Sequence, residues 1–231
     1  MNNKIFIGFD SKEKIASDVC TFSIKKNSSE QTEILLLKLD ELKKKKLYTR
    51  EDDKLSSTEF SFTRFLVPYL MNYQGWAIFC DCDFLWIDDI SKLFHIKNNN
   101  FAVMCVHHDY VPSEKFKMDG QKQLIYPRKN WSSMVLWNCS HPSNKSLNLE
   151  LVNKETGKFL HRFGWLKDSE IGPINHEWNW LVNWYNEPKD GSPKAIHFTE
   201  GGPWFKNNKK SQYDKLWISY ASEINSEWKK T

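Results

Sequence analysis

The sequence predicts a single α/β domain built on a mostly parallel central sheet with helices on both faces. Three observations carry that prediction. Short apolar runs of strand length alternate with helix-spaced stretches through the first half of the chain, as strand–helix–strand units require. Two of those runs deliver aspartates, and in open α/β sheets ligands gather beyond the carboxyl ends of the strands. The length, 231 residues, suits one domain, 1–231, and neither an internal repeat nor a linker divides it.

KIFIGFD, residues 4–10, is an apolar run with Asp10 at its tip and reads as the first strand. Residues 12–26 carry Ile15, Val19, Phe22 and Ile24 at helical spacing, so a helix follows. TEILLLKLD, from Thr32, is the second strand. After a lysine-rich connection, TEFSFTRFLVPYLM, residues 58–71, predicts a helix capped at Ser57 or Thr58 and reshaped at Pro68. WAIFCDCDFLWI, residues 76–87, is the third strand; FAVMCVHHDY and WSSMVLWNC, from Phe101 and Trp131, are the fourth and fifth. KAIHFTEGGPW, from Lys194, is a later strand running into a Gly-Gly-Pro turn, and residues 211–230 predict an amphipathic helix.

Composition removes several function classes. A net charge of +4 is too small to indicate nucleic acid, and the Lys43–Lys46 run and the Lys209-Lys210 pair read as solvated faces. No apolar stretch reaches bilayer length, and MNNKIFIGFD has no charged-then-apolar leader, so a cytoplasmic location is expected. The five cysteines lack the spacing of a zinc or redox motif and suit buried thiols in a reducing compartment. Trp165, Trp178, Trp180, Trp184 and Trp204 crowd one third of the chain. Core packing is the commoner role for any one of them, although aromatic faces also suit sugar rings.

The chemistry centres on Asp81 and Asp83. In a strand they share one face with Phe79, while Cys80, Cys82 and Phe84 share the other. Unpaired buried carboxylates are costly, so something positive is required against them. Two carboxylates at a strand end form a hard oxygen site that suits Mg²⁺ or Mn²⁺, and the ion can then hold phosphate oxygens. A bare D-x-D is a weak signal; the apolar run before it strengthens the metal reading. Of the seven histidines, His197 stands out, at the end of a strand and just before Gly201 and Gly202, where backbone can approach a ligand closely. A site of two aspartates and one histidine leans toward Mn²⁺.

The set Asp10, STEFSFTRF with Arg64, FCDCDFL and HFTEGGPWF resembles the GT-A-fold glycosyltransferases, in particular the family-8-like group of glycogenin and bacterial galactosyltransferases. EFSFTRFLVPYL, YPRKNWSS and HEWNWLV bring it nearer to an uncharacterised bacterial branch of that group, and the resemblance runs from Ile5 to about Phe205. It implies metal-dependent transfer of a sugar, with retention, from a nucleotide-sugar donor, usually a uridine diphosphate sugar. It matches Asp81, Asp83 and His197 to the metal ligands. It implies a donor site at Gly8, Phe9, Asp10, Arg64, Asp81, Cys82, Asp83, Ser132 and Ser133. Lys206, Lys209 or Lys210, or the backbone amides of Gly201 and Gly202, are expected to supply the phosphate contact of the lysine the family carries at the Gly202 position. The nucleotide-binding half falls at 1–110, an acceptor half with the histidine strand at 111–205, and a C-terminal helix at 206–231.

Three departures stand out. Gly202 occupies the family's lysine position before Pro-Trp, Ser132-Ser133-Met134 replaces an Asn-Ala-Gly segment, and the family's Asp-Gln pair has no literal copy. The nearest counterparts to that pair are Glu177 and Asn179, with Asp168 behind them. A double displacement needs a carboxylate on the face opposite the leaving group; front-face transfer needs none, and the sequence leaves both open. Aspartyl-phosphate phosphatases are disfavoured, because Leu85 stands where they carry a hydroxyl. A nucleotidyltransferase would want a Gly-rich loop that IGFDSKEK does not supply. A sugar- or nucleotide-binding protein without turnover is the non-enzyme alternative. The acceptor, whether glycan, lipid-linked or protein, is open, and so is peripheral membrane association through the helix around Trp217 and Trp228.

Overall fold

The computed structural model describes residues 3–50, 58–109, 128, 130–207 and 209–225. The strands are β1 (Asn3–Gly8), β2 (Thr32–Leu37), β3 (Trp76–Cys80), β4 (Phe84–Trp86), β5 (Val103–Val106), β6 (Met134–Asn138), β7 (Ile171–Ile174), β8 (Trp180–Leu181) and β9 (Ala195–His197). A six-stranded sheet has the order β2-β1-β3-β6-β5-β7, and a three-stranded sheet the order β4-β9-β8. In the large sheet β1 pairs parallel with β2 and β3, and β5 parallel with β7; only β6 runs antiparallel to its neighbours. The chain is thus the mostly parallel α/β domain the sequence predicts. Strands β3, β5 and β6 are buried almost throughout, which is why they read as unbroken apolar runs.

The helices are α1 (Lys14–Asn27), α2 (Leu39–Lys44), α3 (Val67–Leu70), α4 (Ser91–His95), α5 (Leu149–Lys154), α6 (Gly157–His161) and α7 (Asp214–Ile224). Helix α1 packs against β4 and α7. A main core includes Ile5, Phe65, Phe79 and Trp137, and a second gathers Val19, Trp180, Phe198 and Trp217 beneath α7. Trp178 and Trp180 are core residues, Trp165 packs on Trp137 and Phe65, and Trp184 is partly exposed. The tryptophan-rich third is therefore chiefly packing.

Two expected elements differ. The single strand over 76–87 is two strands in two sheets, broken at Asp81–Asp83, so the alternation that put Asp81 on a face with Phe79 does not apply. The expected helix over 58–71 is a turn, then a tight helical turn at Thr63–Leu66, then α3; Pro68 takes a first-turn position, where its missing N–H costs nothing. Ser57 and Trp228 lie outside the described residues. No helix among the described residues is long and apolar enough to cross a membrane.

Candidate active site

The break in the third apolar run builds the site. Strand β3 ends at Cys80, and the chain turns through Asp81–Cys82–Asp83 to begin β4 in the other sheet. Cys82 lies in the core, 1% exposed, while the Asp81 and Asp83 side chains keep exposures of 13% and 18%. Each sheet fastens one end. The Asp81 amide donates to the Ser133 carbonyl at 2.9 Å, and the Phe198 amide donates to the Asp83 carbonyl at 3.1 Å. Pairing of β4 with β9 sets His197 opposite Phe84, with the rings stacked at 4.4 Å. One ligand atom from each of Asp81, Asp83 and His197 then lies within 4.8 Å of the others.

A hydrogen-bond chain fixes the tautomer of His197. Asn130, in the left-handed region with φ 64°, presents its carbonyl, which can only accept, to the Ser133 hydroxyl at 2.7 Å. Ser133 Oγ therefore accepts from Asn179 Nδ2 at 2.9 Å, and that orients the amide. Asn179 Oδ1 then accepts from His197 Nδ1 at 2.8 Å. In the neutral imidazole Nε2 is left with a lone pair, 3.4 Å from Asp83 Oδ2. A lone pair set against carboxylates is repulsive unless a cation lies between them. Asp81 Oδ1 and Asp83 Oδ1 are also buried without a hydrogen-bond donor. Two carboxylates and one imidazole nitrogen fit Mn²⁺, with Mg²⁺ a harder match for the nitrogen. Asn179→Ala is expected to weaken Mn²⁺ binding about 10–100-fold, as loss of a ligand's orienting partner does, and calorimetry measures it directly.

Arg64, buried beneath the turn, offsets part of the acid. Its Nη1 is 2.9 Å from Asp81 Oδ1, a charge contact without hydrogen-bond geometry, and donates to the Ser132 carbonyl at 2.8 Å. Its guanidinium also lies over the Phe79 and Phe60 rings. Burial nonetheless pushes the Asp81 carboxyl up, with Asp83 adding to the effect and Arg64 opposing it. Glu13, absent from the expected set, is pushed from its ordinary 4.5 up to about 8, by burial first and then by Asp83, Asp10 and Asp81. Behind the triad His108, 4% exposed, is pushed from 6.5 down to about 3 by burial and by His197 and His176; its Nδ1 meets the Tyr185 hydroxyl at 2.9 Å.

These shifts have opposite consequences for stability. Glu13 is favoured protonated by folding, so its contribution is complete below about 4.5 and is lost as pH rises through about 8. His108 is favoured neutral, so its contribution is present above 6.5 and is lost as pH falls toward 3. Glu13 alone is expected to cost the metal-free protein about 2 kcal/mol between pH 6.5 and 8, a part of the alkaline limb that Glu13→Gln removes while the part due to Asp81 remains. Denaturant titration at several pH values checks it.

The other expected residues fall into two groups. Asp10, 3% exposed, is near the site but caps the chain: one oxygen accepts the Lys12 amide at 2.9 Å and the other the Glu59 amide at 3.1 Å. Gly8 is needed because a Cβ there would come within 2.5 Å of the Phe60 ring. Ser132 Oγ is 2.8 Å from His161 Nδ1, a histidine the sequence did not single out. A cleft of about 280 Å³ opens beyond β1 between Phe9, Ser11, Lys38, Lys44 and Glu59. Glu177, Asp168 and Lys206 do not join the triad. Glu177 is held by Lys194 at 3.0 Å and by the Ser192 amide at 3.2 Å; Asp168 pairs with Arg128 at the surface; Lys206 is exposed.

No family model matches the chain. It is 52% identical over 231 residues to Protein CDI of Arabidopsis thaliana, covering 98% of this chain and 89% of that protein. Among solved structures it is similar to the glycosyltransferase GlyE of Streptococcus pneumoniae TIGR4, with TM-score 0.64, 14% identity and 99% of this chain covered. It is likewise similar to the bifunctional glycosyltransferase WbbM, with TM-score 0.67, 15% identity and 96% of this chain covered. It spans only 63% of the GlyE chain and 50% of the WbbM chain. Galactosyltransferase LgtC, solved with donor and acceptor sugar analogues, matches over 95% of both chains with TM-score 0.59 and 9% identity. At these identities the likeness establishes the GT-A fold.

Proposed function

The chain belongs to the family of Protein CDI of Arabidopsis thaliana, and from its GT-A fold and its acid–histidine triad we propose that it is a glycosyltransferase. It moves a sugar from a nucleoside diphosphate sugar, uridine being the base the family-8-like motifs imply, to a hydroxyl acceptor. The observation that carries this reading is the gathering of ligand atoms from Asp81, Asp83 and His197 within 4.8 Å of one another, with Asn179 holding Nδ1 so that Nε2 faces the carboxylates.

Asp81, Asp83 and His197 would hold a divalent cation, Mn²⁺ best. When bound, it supplies positive charge beside the departing diphosphate. The protein's own residues do the rest. Asn179 and Ser133 hold the imidazole by Nδ1, so that Nε2 is aimed at the carboxylates. Arg64 stabilises Asp81 and adds a second positive charge near the bond that breaks. Phe9 and the cleft beyond β1 offer room and a ring face for the base. The bond between the anomeric carbon and the phosphate oxygen breaks, and a bond from the acceptor oxygen to that carbon forms. Retention is the course the motifs imply. With Glu177 held by Lys194 and Ser192, a front-face route is favoured, in which the acceptor's proton passes to the departing phosphate oxygen.

The test is a panel of uridine and guanosine diphosphate sugars incubated with the protein and Mn²⁺, with release of free nucleotide followed by chromatography. Release that requires Mn²⁺ and disappears in Asp83→Ala is expected. Donor binding without release, across simple sugar acceptors and water, would instead favour a binding protein of the same fold.

A further inference from the structure

The turn that follows His197 is shaped by a residue from the far end of the chain. Gly201 takes φ 97°, and its amide donates to the Phe198 carbonyl at 2.8 Å. Gly202 is buried, and among the described residues its amide has no acceptor. Beside a candidate cation site, phosphate oxygens are natural acceptors for such a turn amide. The indole of Trp204 lies directly on Gly202, so that a Cβ there would stand 2.1 Å from the ring. That indole rests on Trp217 at 5.1 Å and on Phe198 at 5.8 Å. Its Nε1 donates to Glu13 Oε2 at 3.0 Å. Glu13 is the last residue before α1, and the field of Asp83, Asp10 and Asp81 acts on it.

We infer that Glu13 and Trp204 form a latch that holds the Gly201–Gly202 turn in place for the diphosphate, which makes Glu13 a positioning residue for the donor. The inference deepens the donor-site reading and rests on it. Glu13 touches none of the triad's ligand atoms; its action runs through the indole to the backbone of Gly202. No other described side chain accepts from the Trp204 indole N–H, so this hydrogen bond adds a polar anchor to the packing of the ring on Phe198 and Trp217.

Three variants separate the latch from its alternatives. Glu13→Ala removes the acceptor, Trp204→Phe removes the donor but keeps the ring, and Glu13→Gln keeps a neutral acceptor oxygen. Hydrogen exchange of amides 199–205, measured without metal or nucleotide, is expected to quicken about tenfold or more in the first two and to match wild type in the third. Uridine diphosphate affinity in saturating Mn²⁺ is expected to fall about tenfold in the first two and to recover in Glu13→Gln, with Mn²⁺ affinity unchanged in all three. A merely structural loss would lower stability without dividing nucleotide from metal. Unchanged exchange in Glu13→Ala and Trp204→Phe would overturn the latch, as would a Glu13→Gln variant as impaired as Glu13→Ala. If wild type binds no nucleotide, the donor reading fails, while the exchange data still decide whether the latch exists.

Discussion

Alanine at Asp83 or His197 is expected to weaken Mn²⁺ binding by more than about 100-fold, because losing an orienting partner alone costs 10–100-fold and these residues are the ligands themselves. The stability of the metal-free protein is expected to move the other way for Asp83. Its Oδ1 is buried without a donor, and its charge adds to the pressure on both Asp81 and Glu13. Removing it relieves like-charge repulsion, so metal-free Asp83→Ala should unfold no more easily than wild type. His197→Ala lacks that relief and leaves Asn179 Oδ1 without the donor it has in His197 Nδ1. Calorimetric Mn²⁺ titration together with thermal unfolding in chelator separates the two effects. Wild-type Mn²⁺ affinity in either variant would remove the triad from the metal site.

Arg64→Ala is expected to cost about 3–5 kcal/mol of stability, the range for breaking a buried ion pair by removing one partner. Arg64 is 5% exposed, and its loss strands Asp81, frees the Ser132 carbonyl and opens space between Phe60 and Phe79. Mn²⁺ should recover part of the loss, since a cation at the triad compensates the stranded carboxylate. Arg64→Lys should fall between, keeping charge but not the planar contact with the rings. Urea denaturation with and without Mn²⁺ measures all three. A loss below about 1 kcal/mol for Arg64→Ala would mean that Asp81 is neutral or solvated, and that Arg64 is not its counter-charge.

The sequence made the strands legible where burial on both faces produced unbroken apolar runs, as in β3, β5 and β6. It failed where one run serves two sheets: Phe79 to Phe84 alternates apolar and acidic residues as a continuous strand would, so the break at Asp81–Asp83 reads as part of the strand. Short helices such as α5 and α6 span fewer than two turns, too few for a period to register. Asp81, Asp83 and His197 could be singled out because charged or imidazole groups at apolar run ends are conspicuous. Glu13, Asn130 and His108 could not. Glu13 stands three residues after Asp10, the spacing of a helix N-cap, and its approach to the triad comes only from folding. Asn130 contributes a backbone carbonyl, which no side-chain pattern announces. Glu177, the most conspicuous acid near Asn179, turns out to be held by Lys194 and Ser192; a helical turn of three residues points neighbours in different directions.

The most direct test of the account is titration of wild-type protein with uridine diphosphate, with and without Mn²⁺, by calorimetry. Binding is expected to depend on Mn²⁺ and to vanish in chelator, as it would if the diphosphate is held chiefly through a cation at Asp81, Asp83 and His197. Binding of equal strength without the metal, or none with it, would contradict the proposal that these three residues hold a cation for a uridine diphosphate donor.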